Sequence, residues 1–280
     1  MVRIITDSAA DLEPWEYESK NVACIPLTVS IGEREYQENV DLNKDQFYAL
    51  LATGEFPKTA QASPQILMDL FQDAKEAGDE AVYITISSEL SGTYQSAVAT
   101  LRISECEGCY VLDGLNATGG QRMLVEYAVQ LRDEGKNAAE IVEKVSALRG
   151  RIVLFACMDT LEYLYHGGRI SHTVYKLGSL AQVKPIIRVL EGRVEVPAKA
   201  MGMRKGMDFL CKRLEQMVPD EGFPLYVMYT GERTNGETLR NRLAELGHEV
   251  PDNRIINVGA AIGSHIGPGA CGLVYVEKEE

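Results

Sequence analysis

Residues 83–97, YITISSELSGTYQSA, constrain the fold of this chain more than any other stretch. Tyr83-Ile84-Thr85-Ile86 is aromatic and β-branched, the composition of a buried strand. Thr93-Tyr94-Gln95-Ser96-Ala97 runs on through Val98 and Leu101 at helical spacing. Between them stand Ser87, Ser88, Ser91 and Gly92, all small and polar. A strand that turns at once into a helix leaves backbone N–H groups free at the carboxyl edge of its sheet. Beside serine hydroxyls, such groups can hold an anionic head such as a carboxylate or phosphate. Parallel sheets take their ligands at this edge. A simpler role also fits, with Ser91 capping the helix.

The flanking pattern sets the fold class. Strands are expected at 2–6, 22–31, 81–86, 109–113 and 152–157, the second turning at Gly32-Glu33 into Arg34-Glu35-Tyr36. Helices are expected at 41–51, from Pro64 to Gly78 behind a Ser63 cap, from Ser91, and at 119–132 and 138–148. This alternation predicts a mostly parallel sheet covered on both faces. After Cys157 the pattern changes. A short helix at 160–164 leads to a hinge-like glycine link at 167–171, a helix at 173–181 and a hairpin at 185–197. Then come a helix at 205–217, a strand at 225–229, a helix at 234–246, a strand at 254–258, a loop at 259–269 and a strand at 272–276. The expectation is a two-domain α/β protein. Residues 1–157 form a Rossmann-like, mostly parallel domain, residues 158–280 an α+β domain, and the ligand lies between them.

Composition narrows the function. A net charge of −13 argues against nucleic acid as a main partner. No apolar run nears bilayer length and no signal-peptide pattern opens the chain, so a cytoplasmic protein without stable membrane insertion is expected. The four histidines show no ligand spacing, so no metal is expected. Cys106-Glu107-Gly108-Cys109 is a lone pair ahead of a strand, read as small core residues rather than a redox or zinc site. No nucleotide-binding glycine motif is present.

Three loops carry the candidate site. One holds Thr59 and Ser63, one holds Ser87 to Gly92, and one runs over 259–270 with His265 among glycines. His265 belongs to no apolar stripe, so it is placed exposed in a cleft, where it can donate to a carboxylate. Asp7 and Asp11 would repel an anion and are read as loop organisers. Ser91 with His265, and Asp7 as orienting acid, is the alternative of an esterase or thioesterase, although no G-x-S-x-G surrounds Ser91. Arg169 beside two glycines, and Arg204-Lys205, are basic spots on an acidic chain.

These residues carry a resemblance. Asp7-Ser8 with Asp11, Ile86 through Ala97, Leu161-Glu162-Tyr163-Leu164, Gly167-Gly168-Arg169-Ile170-Ser171 and Ile262 through Gly272 together resemble the DegV family of bacterial fatty-acid-binding proteins. The resemblance spans nearly the whole chain. It implies two α/β domains enclosing a long-chain fatty acid, with the carboxylate at the domain interface and no catalysis by the protein itself. Ser91 matches the family serine that binds the carboxylate. Thr59 and His265 match its threonine and histidine, and Gly92 adjoins the same head. Arg169 matches the arginine that engages a partner kinase, which converts the bound acid to an acyl phosphate for phospholipid synthesis. Arg204 shares that docking role. The chain departs from the family in Ala60, where the pattern has serine, and in Tyr165-His166, which replace a basic pair. A lipid-independent regulatory protein is the remaining alternative. Acyl length, unsaturation and oligomeric state have no linear signature.

Overall fold

A computed structural model describes residues 1–178 and 182–279. The first half contains β1 (Val2–Asp7), α1 (Pro14–Ser19), β2 (Val22–Ile25), β3 (Thr28–Ile31), β4 (Arg34–Gln37), α2 (Lys44–Leu51), β5 (Lys58–Ala60) and α3 (Pro64–Ala77). It continues with β6 (Glu80–Thr85), α4 (Thr93–Ser104), β7 (Cys109–Asp113), α5 (Thr118–Asp133) and α6 (Ala138–Arg149). The second half contains β8 (Ile152–Cys157), α7 (Glu162–His166), α8 (His172–Gly178), β9 (Val183–Leu190), β10 (Arg193–Met201) and α9 (Met203–Gln216). It ends with β11 (Tyr226–Tyr229), α10 (Thr234–Glu245), β12 (Ile255–Asn257), α11 (Ala260–Ile266) and β13 (Cys271–Val276).

Among the described residues these strands form three sheets. A four-stranded sheet, β2-β1-β6-β7, is parallel throughout. A six-stranded sheet, β10-β9-β8-β13-β11-β12, is antiparallel except for β11 beside β12. A small antiparallel sheet, β4-β3-β5, contains the hairpin expected at Gly32-Glu33 as its β3–β4 pair, whereas the strand β5 was not foreseen. The two-domain α/β architecture stands, with a parallel first sheet and a mixed second one.

Several expectations need correction. Residues 22–31 are two strands in two sheets. Ile25 pairs with Asp7, whereas Thr28 pairs with Gln37 and Ala60. Pro26 has no N–H for a ladder, and Leu27 N–H donates to Ser8 Oγ at 3.0 Å. Residues 152–157 join the six-stranded sheet between β9 and β13, so we place the domain boundary ahead of β8, near 150, rather than after Cys157. The helix expected at 173–181 begins at His172, and residues 179–181 lie outside the described residues. Cys106 and Cys109 are buried as expected but joined by a disulfide, which plain core packing did not foresee.

α5 and α6 explain how the two halves share a core. One apolar cluster runs from Ile4, Val82 and Ile84 of the first sheet through Leu124 and Ala128 of α5 to Leu154, Val274 and Val276 of the second. Burying each such side chain contributes about 1.5–3 kcal/mol, so the two sheets are held by the helix layer rather than by their linker. A buried ionic junction lies in the same layer. Arg122 of α5 pairs with Glu16 of α1 and with Glu126, whose carboxylate accepts from Tyr226 of β11.

Candidate functional site

The strand-to-helix turn after β6 is built by its neighbours. Asp7, at the end of β1, accepts from Ile86 N–H at 2.9 Å, from Ala9 N–H at 3.2 Å and from Gln121 Nε2 at 3.0 Å. Burial pushes the Asp7 carboxyl up to about 6, against the pull of these hydrogen bonds. It organises the loop, as expected of it. Ser88 N–H donates to Asp113 Oδ1 at 3.0 Å, and Ser87 Oγ donates to Gly192 O, at the β9–β10 turn, at 2.8 Å. Gly92 is the N-cap residue of α4. Ser91 Oγ accepts from Thr93 N–H at 3.3 Å and lies 2.9 Å from Thr93 Oγ1. Gly92 rather than Ser91 is therefore the N-cap, and the Ser91 hydroxyl, which accepts from the first helical N–H, lines the cavity.

His265 is not in a loop. Residues 260–266 form α11, a seven-residue helix whose glycines concealed its helical pattern in the sequence. His265 is half-buried rather than exposed, and Nε2 lies 2.8 Å from Thr59 Oγ1 on β5. Among the described residues Nδ1 has no hydrogen-bond partner. It faces Gly167, where a Cβ would overlap it. The link at 167–171, read as a hinge, is therefore a tight packing point. Arg169 fastens it. Its Nε and Nη2 donate to Leu90 O at 3.0 and 2.7 Å, and its Nη1 donates to Gly167 O at 2.5 Å. All three bonds go to carbonyls, and among the described residues no carboxylate pairs with this guanidinium.

Thr59, Ser91, Arg169 and His265 line one cavity. The space between these walls, open solvent at the mouth included, is about 880 Å³. Its remaining walls are largely apolar, among them Leu154 of β8, Ile187 and Val189 of β9, Val194 of β10, Met228 of β11 and Val258. Thr59, Ser91 and His265, one from each of the three stretches expected to converge, meet here, whereas Ser63 caps α3 and does not line the cavity. Arg169, placed by the resemblance on a docking surface, stands with them in the wall. Gly92 and Arg204 do not line the cavity; Arg204 is exposed on the first turn of α9. The hairpin wall was missed, although the alternation of β10 was legible. So was Glu38, which looks like a surface residue in sequence yet is buried beneath α11.

The geometry lacks the hydrogen-bond chain of a serine hydrolase. Ser91 Oγ is partnered by Thr93, His265 Nε2 by Thr59, and Asp7 by Ile86, Ala9 and Gln121. Among the described residues no acid orients Nδ1.

Burial, and next the charge of Arg169, lower His265 from 6.5 to about 3, so the imidazole is neutral at physiological pH. On acidification the unfolded chain takes up a proton here that the folded chain refuses. Stability is untouched by this group above about pH 6.5 and is lost as pH falls toward about 3. His265→Gln is expected to flatten that limb in urea-denaturation midpoints measured across pH. An unchanged acid limb would argue against a buried neutral imidazole.

Comparison with known proteins agrees with this architecture. A family model described as "Uncharacterised protein, DegV family" matches residues 1–278. A DegV domain-containing protein of Caldanaerobacter subterraneus subsp. tengcongensis is 34% identical over 281 residues, covering 99% of each chain. A fatty-acid-binding DegV family protein of Thermus thermophilus superposes with a TM-score of 0.89 at 28% identity, covering 99% of each chain. A stearic acid-binding protein of Eubacterium ventriosum superposes equally well, with a TM-score of 0.89 at 26% identity and 99% of each chain covered. With nearly its whole length matched in this way, the chain belongs to the DegV family.

Proposed function

We propose that this protein binds a long-chain fatty acid, with the acyl chain in the apolar cavity and the carboxylate at Thr59, Ser91 and His265 beside Arg169. The observation that carries this reading is a half-buried guanidinium without an acidic partner among the described residues, set beside neutral hydroxyls in the wall of a largely apolar cavity. Such a wall suits a ligand that is one anion on a long oily tail. Each methylene buried contributes about 0.8 kcal/mol, so a long chain gives on the order of 10 kcal/mol before ordering costs. The carboxylate, bare, would be expensive to bury. If His265 Nε2–H donates to Thr59, the Thr59 hydroxyl is free to donate to the head, and Ser91 can do the same. The solved relatives described as fatty-acid-binding and stearic acid-binding support the same ligand class.

The protein then acts as a carrier that presents the carboxylate to a partner kinase for conversion to an acyl phosphate. This finer role rests on the family resemblance, with Arg169 at the head and Arg204 exposed for docking. Arg204→Glu is expected to slow ATP-dependent acyl phosphate formation by a bacterial fatty acid kinase without changing oleate affinity. Equal rates for both forms would remove Arg204 from docking.

Ser91→Ala is expected to weaken oleate binding by about 1–3 kcal/mol, the cost of an unmet buried acceptor. Fluorescence displacement with added oleate and palmitate measures it. Wild-type affinity in the variant would contradict the role assigned to Ser91.

A further inference from the structure

α11 brings His265 to the cavity, and its first turn rests on two acids. Asp11 Oδ1 accepts from Gly259 N–H at 2.8 Å, and Glu38 Oε1 accepts from Ala261 N–H at 3.1 Å. Asp11 is 1% exposed and Glu38 2%. Both carboxyls crowd the same Cα: a Cβ on Gly259 would overlap Glu38 Oε1 and sit 2.7 Å from Asp11 Oδ1. Their other oxygens, Asp11 Oδ2 and Glu38 Oε2, have no hydrogen-bond partner among the described residues. The Thr118 and Ser8 hydroxyls stand beside the pair without completing a bond to those two atoms.

The surroundings do not neutralise two negative charges. Among the described residues two cations stand beside the pair and both are engaged by other acids: the Lys44 ammonium of α2 is 2.5 Å from Glu13 Oε1, and Arg122 of α5, which donates to the Asp11 carbonyl at 3.4 Å, is paired with Glu16 and Glu126. The other titratable groups facing the pair are Glu13, Tyr17, Cys24 and Tyr48, with Asp7 acting on Cys24 and Tyr229 on Tyr48. Burial raises the Tyr17 and Tyr48 hydroxyls and the Cys24 thiol, which keeps all three neutral. Two bare carboxylates in such a place repel, and each keeps an oxygen without solvent. One proton held between them removes a charge and gives an orphaned oxygen a donor.

We propose that Asp11 and Glu38 share one proton and, in that singly charged state, act as positioning residues that hold α11 so that His265 meets the ligand head. Burial raises both carboxyls, and Glu38 is raised further by the charge of Asp11. Loss of the shared proton puts two like charges under the first turn of α11 and loosens its seat. Only the affinity readout below rests on the fatty-acid reading.

The test uses the whole chain, first without ligand. In protein with ¹³C-labelled Asp and Glu carboxyls, NMR titration is expected to find one carboxyl of this pair losing its proton near neutral pH. The ¹⁵N resonances of the His265 ring are expected to move with it. Glu38→Gln is expected to abolish both changes. With oleate added, wild-type affinity is expected to fall about tenfold between about pH 6 and about pH 8, and that of Glu38→Gln by less than about twofold. Both carboxyls ionised at about pH 5 would overturn the shared proton, even if the variant fails to fold. A shared proton with fixed His265 resonances, or with a pH-independent oleate affinity, would overturn the positioning role. No oleate binding at any pH would sink the fatty-acid reading instead, leaving the carboxyl and imidazole titrations to decide this one.

Discussion

Arg169→Leu is expected to weaken oleate binding by about 100-fold, roughly 3 kcal/mol, at low salt and neutral pH. The reason is the balance of charge at the head. The Thr59 and Ser91 hydroxyls can donate hydrogen bonds, Thr59 with the neutral His265 behind it, but among the described residues lining the cavity only Arg169 brings a full positive charge. Burial lowers the Arg169 pKa from its ordinary value, yet a guanidinium stays charged at neutral pH. An anion placed beside it is paired, and the same anion beside leucine is not. Removing one partner of a buried pair costs far more than the pair itself contributes, because the other charge is left unmet. Arg169→Lys separates charge from geometry. It keeps the cation but cannot span the two bonds to Leu90 O, so an intermediate loss is expected. Calorimetric or displacement titration reads both variants. Wild-type affinity in Arg169→Leu would mean that the head lies elsewhere.

Gly272→Val is expected to destabilise the fold by about 3 kcal/mol or more, read as a lower denaturation midpoint in urea. Gly272 lies in β13 opposite Ala156 of β8, and the two strands form part of the cavity wall. A Cβ there would sit 2.6 Å from Phe155 O and 2.9 Å from Ala156 Cβ. The first of these atoms is backbone in a central strand, so neither a rotamer change nor a flexible tip can make room. Either β8 and β13 part or the valine strains. Gly272→Ala meets the same oxygen, so it is expected to lose much of the same stability. A variant as stable as wild type would show that this strand pair yields more easily than a paired central sheet should.

Much of the framework was written locally. Ser63 and Pro64 mark the start of α3, and the structure has Ser63 Oγ accepting from Ile66 N–H with Pro64 as the first helical residue. The turn from β6 into α4 was legible because a β-branched run meets a helical period across small polar residues. Pairing was less legible. Ile152 to Cys157 reads as a buried strand in either sheet, because a run of apolar residues does not name its neighbours. Residues 22–31 read as one strand because Pro26 interrupts pairing without interrupting hydrophobicity. α11 was hidden by glycines that serve close approach to Phe47, Tyr48 and Tyr163 rather than a loop. The site was legible as residue types, Thr59, Ser91 and His265, but not as a network. Nothing in the chain order says that Thr59 meets His265 at a separation of 206 residues, or that Glu38 lies beneath α11.

A largely apolar cavity whose described lining carries one cation, Arg169, is proposed to hold a fatty acid by both ends. Gentle solvent extraction of the purified protein, followed by mass spectrometry, tests it most directly. The expected result is a long-chain carboxylic acid recovered in about equal amount to the protein, and replaced by oleate or palmitate when either is added in excess. Recovery of no such acid, together with no uptake of added oleate or palmitate, would contradict it.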